Sequence, residues 1–185
     1  MKSNYRTIKV ELHQGVAVLT LNHPPVNQLS KPFVGEIRDA LMSAFGEDEV
    51  KAVIITATGK NFTGGADLTQ IQQATEKESV FHLTMENNRF LNSIEEGPKP
   101  VIVAMNGACL GGGMEISMAS HYRIAAQGIQ VGQPEVQVGL IPGAGGTQRL
   151  PRLVGLPDAL QMIGTGQSIS AEEGLKKGCL DEVAP

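Results

Sequence analysis

Two carboxylates stand out in this chain because their neighbours are apolar. Glu115 follows Gly111-Gly112-Gly113-Met114 and precedes Ile116, Met118 and Ala119; Glu135 follows Gln133-Pro134 and precedes a mostly apolar run ending in Leu140-Ile141-Pro142. A carboxylate in such a setting is exposed, paired or functional, because burying an unpaired charge is costly. Burial also raises a carboxyl pKa toward neutrality, so two such groups could share general acid and base duty. Glu47, Asp48, Glu95 and Glu96 lie in polar runs and read as solvated faces.

Backbone chemistry accompanies the carboxylates. Glycines cluster at 64–65, 111–113 and 143–146, flanked by apolar segments rather than by Ser-rich linker sequence. Gly111-Gly112-Gly113 follows an apolar strand and opens the segment that carries Glu115. The first N–H groups of a helix lack intrahelical partners and sit at the positive end of its dipole, so they can hold an anion or a developing oxyanion. Gly64-Gly65-Ala66-Asp67 offers a second N–H of this kind. Two converging on one oxygen would form an oxyanion hole. The plainer alternative is a glycine-lined helix packed closely on a neighbour.

Other chemistries find no footing in the sequence. It contains no P-loop, HExxH, G-x-S-x-G elbow or strand-borne GxGxxG. His13, His23, His82 and His121 are scattered without ligand spacing, so no metal site is expected. Cys109 and Cys179 read as two reduced, buried thiols, which fits a cytoplasmic setting. A net charge of −4 argues against nucleic-acid binding, and no apolar run is long enough to span a membrane.

The elements that must position these groups alternate in type. With 185 residues, 41% of them hydrophobic, the chain suits one domain with a substantial core. Residues 7–12 and 16–21 read as a hairpin turning at Gln14-Gly15. Ser30 and Pro32 mark the start of a helix over 31–45, with Phe33, Ile37, Ala40, Leu41 and Ala44 on one face. Residues 50–56 and 101–105 read as buried strands, and 77–95 as a long polar helix. Residues 59–65 read as a loop. Further helices are expected over 114–119, 147–154, 158–163 and 171–177, the last capped by Ser170, with short strands at 122–125 and 129–131. Nothing in 181–185 reads as a closing element. The order is α/β, and the joints at 56–70 and 105–115 share a layout that suggests repeated ββα units.

Three ordered motifs carry a family resemblance. Asn106-Gly107-Ala108-Cys109-Leu110-Gly111-Gly112-Gly113-Met114-Glu115 resembles the central signature of the crotonase (enoyl-CoA hydratase/isomerase) family. Gln133-Pro134-Glu135, with Gly139-Leu140-Ile141-Pro142-Gly143-Ala144-Gly145-Gly146-Thr147-Gln148-Arg149-Leu150, resembles its second signature, and Phe62-Thr63-Gly64-Gly65-Ala66-Asp67-Leu68 its first oxyanion loop. The resemblance covers about residues 8 to 183.

It implies the ClpP/crotonase spiral of ββα units and an enoyl-CoA hydratase that needs no cofactor, coenzyme A being part of the substrate. The N–H groups of Ala66 and Gly112 would hold the thioester oxygen. Glu115 would help deprotonate the attacking water, Glu135 would protonate the α-carbon, and the Gly143 N–H would help hold the water. Val26, Gln28, Gly65, Asp67, Leu68, Gly111 and Pro134 would bind acyl-CoA. Having both glutamates favours hydratase over the family's isomerases; a scaffold that binds acyl-CoA without turning it over is the non-enzymatic alternative.

Departures from the family pattern also carry expectations. Gly64 replaces a more usual Ala, which loosens its loop. Ser120-His121 replaces Cys-Asp, which removes a hydrogen-bond acceptor. Family members continue into a C-terminal helical segment that covers the acyl pocket and helps build trimers, so residues 1–185 resemble the core without it. A homotrimer or dimer of trimers is implied for the longer form. Asn22-His23-Pro24-Pro25-Val26-Asn27 resembles the opening of hydratase domains fused to 3-hydroxyacyl-CoA dehydrogenases.

Overall fold

The computed structural model describes residues 2–69 and 77–185. Strands β1 (Ile8–His13) and β2 (Val16–Leu21) form the expected antiparallel hairpin, with His13 opposite Val16. Its turn uses positive φ at both Gln14 (50°) and Gly15 (82°), the primed geometry whose twist matches the strands it joins. Helix α1 (Lys31–Gly46) buries Phe33, Ile37, Ala40, Leu41 and Ala44, the face the sequence spacing predicts. Each fully buried large side chain of this type is worth about 1.5–3 kcal/mol. Ser30 occupies the N-cap position but its side chain makes no capping bond, so Pro32 in the first turn is the operative start signal.

Beyond α1 the chain deals its strands alternately to two sheets. β3 (Ala52–Ala57), β5 (Val101–Met105), β7 (Tyr122–Ala126) and, at the far edge, β10 (Glu182–Ala184) enter a large sheet of order β1-β2-β3-β5-β7-β10. β4 (Asn61–Thr63), β6 (Ala108–Leu110), β8 (Gln130–Gly132) and the two-residue β9 (Ile169–Ser170) enter a small sheet of order β4-β6-β8-β9. Parallel pairing of β3 with β5 and of β4 with β6 stacks one strand pair on the next. This is the spiral of ββα units that the layout of the joints suggests and that the crotonase resemblance implies.

Helices lie between the strand pairs: α2 (Lys77–Glu95) before β5, and α3 (Gly112–Ala119) directly after β6. A 3-10 helix (Glu135–Val138) follows β8, and then come α4 (Gly146–Val154) and α5 (Leu156–Thr165). β9 (Ile169–Ser170), α6 (Ala171–Lys177) and β10 (Glu182–Ala184) complete the described chain. Ser170 caps α6 as expected, accepting from the Glu173 N–H. Leu19, Leu21, Phe33, Ile37, Leu41, Ile55, Phe62, Ile94 and Met114 fill the core between the sheets and helices.

Three local expectations are corrected. Residues 61–63 and 108–110 are strands of the small sheet, too short to show a period of their own. Residues 182–184 do form an element: β10 pairs parallel with β7, and Arg123 bonds Asp181 to anchor it (NH2 to Oδ2, 2.8 Å). His121 supplies an acceptor after all, its Nδ1 taking the Val101 N–H at 3.1 Å.

Candidate active site

The first glycine loop is sewn to the segment after β2. Gly64 N–H donates to Val26 O (2.8 Å), Leu29 N–H to Gly65 O (2.8 Å) and Asp67 N–H to Leu29 O (3.3 Å). Residues 26–29 and 64–67 therefore run side by side, with a lone bridge at Leu29 and Ala66. Gly65 takes φ 91° and its N–H donates to the buried Thr63 Oγ1 (2.9 Å). Asp67 turns its carboxylate onto its own chain, accepting from Thr69 N–H (3.0 Å) and Thr69 Oγ1 (2.6 Å). Leu68 is 37% exposed, Val26 and Gln28 are half-buried, and the Gln28 carbonyl accepts from Ser30 N–H.

The second loop backs onto the first. Gly111, at φ 54°, donates its N–H to Gly132 O (3.0 Å) and accepts from Gln133 Nε2 (3.0 Å). This backbone conformation favours glycine, and a Cβ at Gly111 would stand 3.2 Å from Glu135 Oε1. Gly112 opens α3 against Ala66: a Cβ there would lie 4.0 Å from the Ala66 nitrogen and 2.9 Å from Leu29 Cδ1. Among the described residues no hydrogen bond engages either the Ala66 or the Gly112 N–H. The Ala66 nitrogen thus lies close to Gly112, whose neighbour Gly111 lies beside Glu135.

Glu115 sits in the first turn of α3 and is buried, 4% exposed. Its Oε1 accepts two backbone N–H groups from the 143–146 loop, Ala144 at 2.7 Å and Gly146 at 2.8 Å. Gly146 allows this close approach, since a Cβ there would lie 3.0 Å from Glu115 Oε1 and 2.7 Å from Pro142 Cβ. Burial pushes the Glu115 pKa up; the two N–H groups and the Arg149 charge pull against it by favouring the anion.

Glu135 starts the 3-10 helix, placed there by Pro134 at its N-cap. Its Oε2 is buried and has no hydrogen-bond partner among the described residues. Burial first, then repulsion from Glu115, raises its pKa from 4.5 to about 7. The two glutamates, twenty residues apart in sequence, are therefore electrostatic neighbours.

Gly143 is exposed, and its carbonyl accepts from Asn88 Nδ2 (2.9 Å). The donors that reach Glu115 come from Ala144 and Gly146, which sequence reasoning did not single out. Only the glycine clustering hinted at that loop; contacts spanning 29 and 31 residues leave no local pattern. Asn88 and Arg149 were likewise overlooked. Cys109 and Cys179 are free and buried, as expected. Among the described residues no group of His, Cys, Asp and Glu is suited to a metal, and no helix is long and apolar enough to cross a membrane.

A two-sheet spiral carrying paired glycine loops, a buried Glu115 and a half-buried Glu135 defines the crotonase class of fold, and comparison with known proteins agrees. The profile of the Enoyl-CoA hydratase/isomerase family matches residues 11–185, and the chain belongs to that family of enzymes. A probable enoyl-CoA hydratase of Bacillus subtilis is 42% identical over 171 residues, covering 92% of this chain and 66% of that protein. The glyoxysomal fatty acid beta-oxidation multifunctional protein MFP-a of Brassica napus is 45% identical over 175 residues, covering 92% of this chain but 24% of that protein. The crystal structure of enoyl-CoA hydratase from Bacillus anthracis superposes with a TM-score of 0.90 at 38% identity, over 97% of this chain and 70% of that one. The chain thus spans about a quarter of the multifunctional relative and two thirds of the Bacillus subtilis one.

Proposed function

We propose that the protein hydrates 2-enoyl-CoA thioesters. The observation that carries this reading is the contrast between the two carboxyls. Glu115 Oε1 is held by two N–H donors that favour its anion against the upward push of burial, whereas Glu135 has a buried oxygen with no hydrogen-bond partner among the described residues and a pKa raised to about 7. N–H donors that hold the anion of one carboxyl suit it to take a proton, and a buried oxygen without such donors suits the other to give one.

In this mechanism Glu115 takes a proton from water while the water oxygen bonds to the β-carbon. The π electrons shift toward the thioester, and negative charge develops on its oxygen. The N–H groups of Ala66 and Gly112 stabilise that charge, and donors of this sort are each worth about 2.7–4 kcal/mol in other enzymes. Glu135 then delivers its proton to the α-carbon. Gly143, in the loop beside Glu115, helps hold the water. Val26, Gln28, Gly65, Asp67, Leu68, Gly111 and Pro134 line the path of acyl-CoA. No cofactor enters any step, because each bond change is a proton transfer or an addition.

Glu115→Gln and Glu135→Gln test this reading with crotonyl-CoA and a 3-enoyl-CoA as substrates. A hydratase loses water addition with either change. Double-bond migration that survives Glu115→Gln and fails with Glu135→Gln, in a protein that adds no water, would assign an isomerase. A cytoplasmic homotrimer or dimer of trimers is part of the same reading for the full-length form. Leu156, Leu160 and Ile141 are 61%, 63% and 72% exposed and offer apolar surface for assembly, which a sedimentation mass near three or six chains of that form would support.

A further inference from the structure

The 143–146 loop is gripped from outside by two side chains that do not touch Glu115. Asn88 of α2 donates from Nδ2 to Thr84 O in its own helix and to Gly143 O across the gap, both at 2.9 Å. Arg149 of α4 donates from NH1 to Ala144 O at 3.2 Å. Its Nε and NH2 are anchored on Glu95 Oε2 (3.1 and 2.8 Å), and NH2 also reaches Asn92 Oδ1 (2.9 Å). Asn88, Asn92 and Glu95 recur at helical spacing on one face of α2, so a single helix holds both grips.

Peptide geometry gives these outside contacts an inside effect. A trans peptide unit is planar and points its C=O and N–H in opposite directions. Gly143 O and Ala144 N–H belong to one such unit. Asn88 holds the oxygen end, and the N–H end donates to Glu115 Oε1 at 2.7 Å. The next unit, Ala144 O with Gly145 N–H, is held by Arg149. In the third, Gly145 O accepts from Gln148 and Arg149 N–H (2.9 and 2.8 Å), and its Gly146 N–H donates to Glu115 at 2.8 Å. Rotation of the first unit would turn the shortest donor away from the carboxylate.

We propose that Asn88, seconded by Arg149, is a positioning residue for catalysis: by pinning the carbonyls of Gly143 and Ala144 it keeps the loop's N–H groups aimed at Glu115, which sets the readiness of that carboxylate to act as base. This inference rests on the hydratase reading for its kinetic consequence, but the aiming of Glu115 can be observed without turnover.

Among the described residues, the charged groups facing Glu115 are Glu135 from the 3-10 helix and Arg149 from α4, with Glu95 of α2 behind the guanidinium. Arg123 on β7 is taken up by Asp181 and Ser120 O. Substituting Arg149 would change a charge as well as a grip. Asn88→Leu is the cleaner change, because it removes the donor at similar size and alters no charge. Asn88→Ser is the second variant; its hydroxyl can bond within the helix but is too short to span to Gly143.

Two readouts test the inference on the intact chain. In crotonyl-CoA hydration both variants are expected to lose about 10- to 100-fold in kcat with KM kept within about twofold, as misplacement of about 1 Å can do. The acid limb of the kcat profile should move to higher pH, because a carboxylate that loses N–H donors holds its proton more tightly. Infrared titration of the carboxyl band absent from Glu115→Gln should show the same upward movement without substrate. Unchanged kcat, or a kcat loss with both the limb and the band unmoved, overturns the proposal. A wild-type protein that adds no water to crotonyl-CoA counts against the hydratase reading alone, and the carboxyl titration then decides the fate of Asn88.

Discussion

Replacing Glu135 by Gln should stabilise the protein, and should do so only where the carboxyl would be charged. Gln keeps the shape of the protonated acid and carries no charge. Glu135 has its pKa raised from 4.5 to about 7 by burial and by the charge of Glu115. The folded state therefore holds the proton more tightly than the unfolded chain, and stability falls as pH rises. The penalty is negligible below 4.5, grows between the two values and is complete above about 7. At 1.36 kcal/mol per pH unit the full gap would amount to about 3.4 kcal/mol. Glu135 is only partly buried, so solvent screening reduces the expected gain to about 1–2 kcal/mol. Urea unfolding followed by circular dichroism, on wild type and Glu135→Gln, measures the difference directly. The variant should gain about 1–2 kcal/mol at about pH 8 and about a quarter of that at about pH 5. A gain equal at the two pH values, or a loss at the higher one, would refute the claim that burial strains this carboxylate.

Other consequences are equally open to test. Glu115→Gln should abolish hydration while leaving crotonyl-CoA affinity within about threefold, measured by calorimetric titration, since the carboxylate acts on water rather than on the thioester. Gly113→Ala would drive a Cβ into Thr63 Cγ2, and Thr63 is fully buried and holds the Gly65 N–H. A net cost of about 1–2 kcal/mol is expected in urea unfolding despite alanine's better helix propensity. Arg123→Met removes the guanidinium's ion pair with Asp181 and its bond to Ser120 O while the backbone bonds between Arg123 and Asp181 remain, so β10 should exchange its amide hydrogens faster than in the wild type, with a stability loss of about 1–3 kcal/mol.

The parts of the fold legible in the sequence are those whose residues meet locally. The hairpin followed from alternation broken by Gln14-Gly15, and α1 from Phe33, Ile37 and Leu41 at helical spacing. Both glutamates were visible as charges in apolar surroundings. Of the small sheet only β8 was legible, as the short strand at 129–131; β4, β6 and β9 have only two or three residues each and gain their pairing from strands far away. β10 escaped for the same reason, being a three-residue strand fixed by β7 and Arg123.

At the site the hidden features are long-range backbone contacts. Resemblance brought attention to Gly143, yet the N–H groups that reach Glu115 are those of Ala144 and Gly146. Asn88 looked like one more polar residue on a polar helix. Its partner is 55 residues away, and only the folded chain shows that it grips the loop.

The central claim is that Glu115 activates water for addition to a 2-enoyl thioester, and labelled water tests it most directly. Purified protein is incubated with crotonyl-CoA in water enriched in heavy oxygen, and the product is analysed by mass spectrometry. The account predicts 3-hydroxybutyryl-CoA carrying one heavy oxygen at the β-carbon from the wild type, and none above background from Glu115→Gln. Unlabelled product, equal labelling by the two proteins, or substrate left unchanged by the wild type would contradict it.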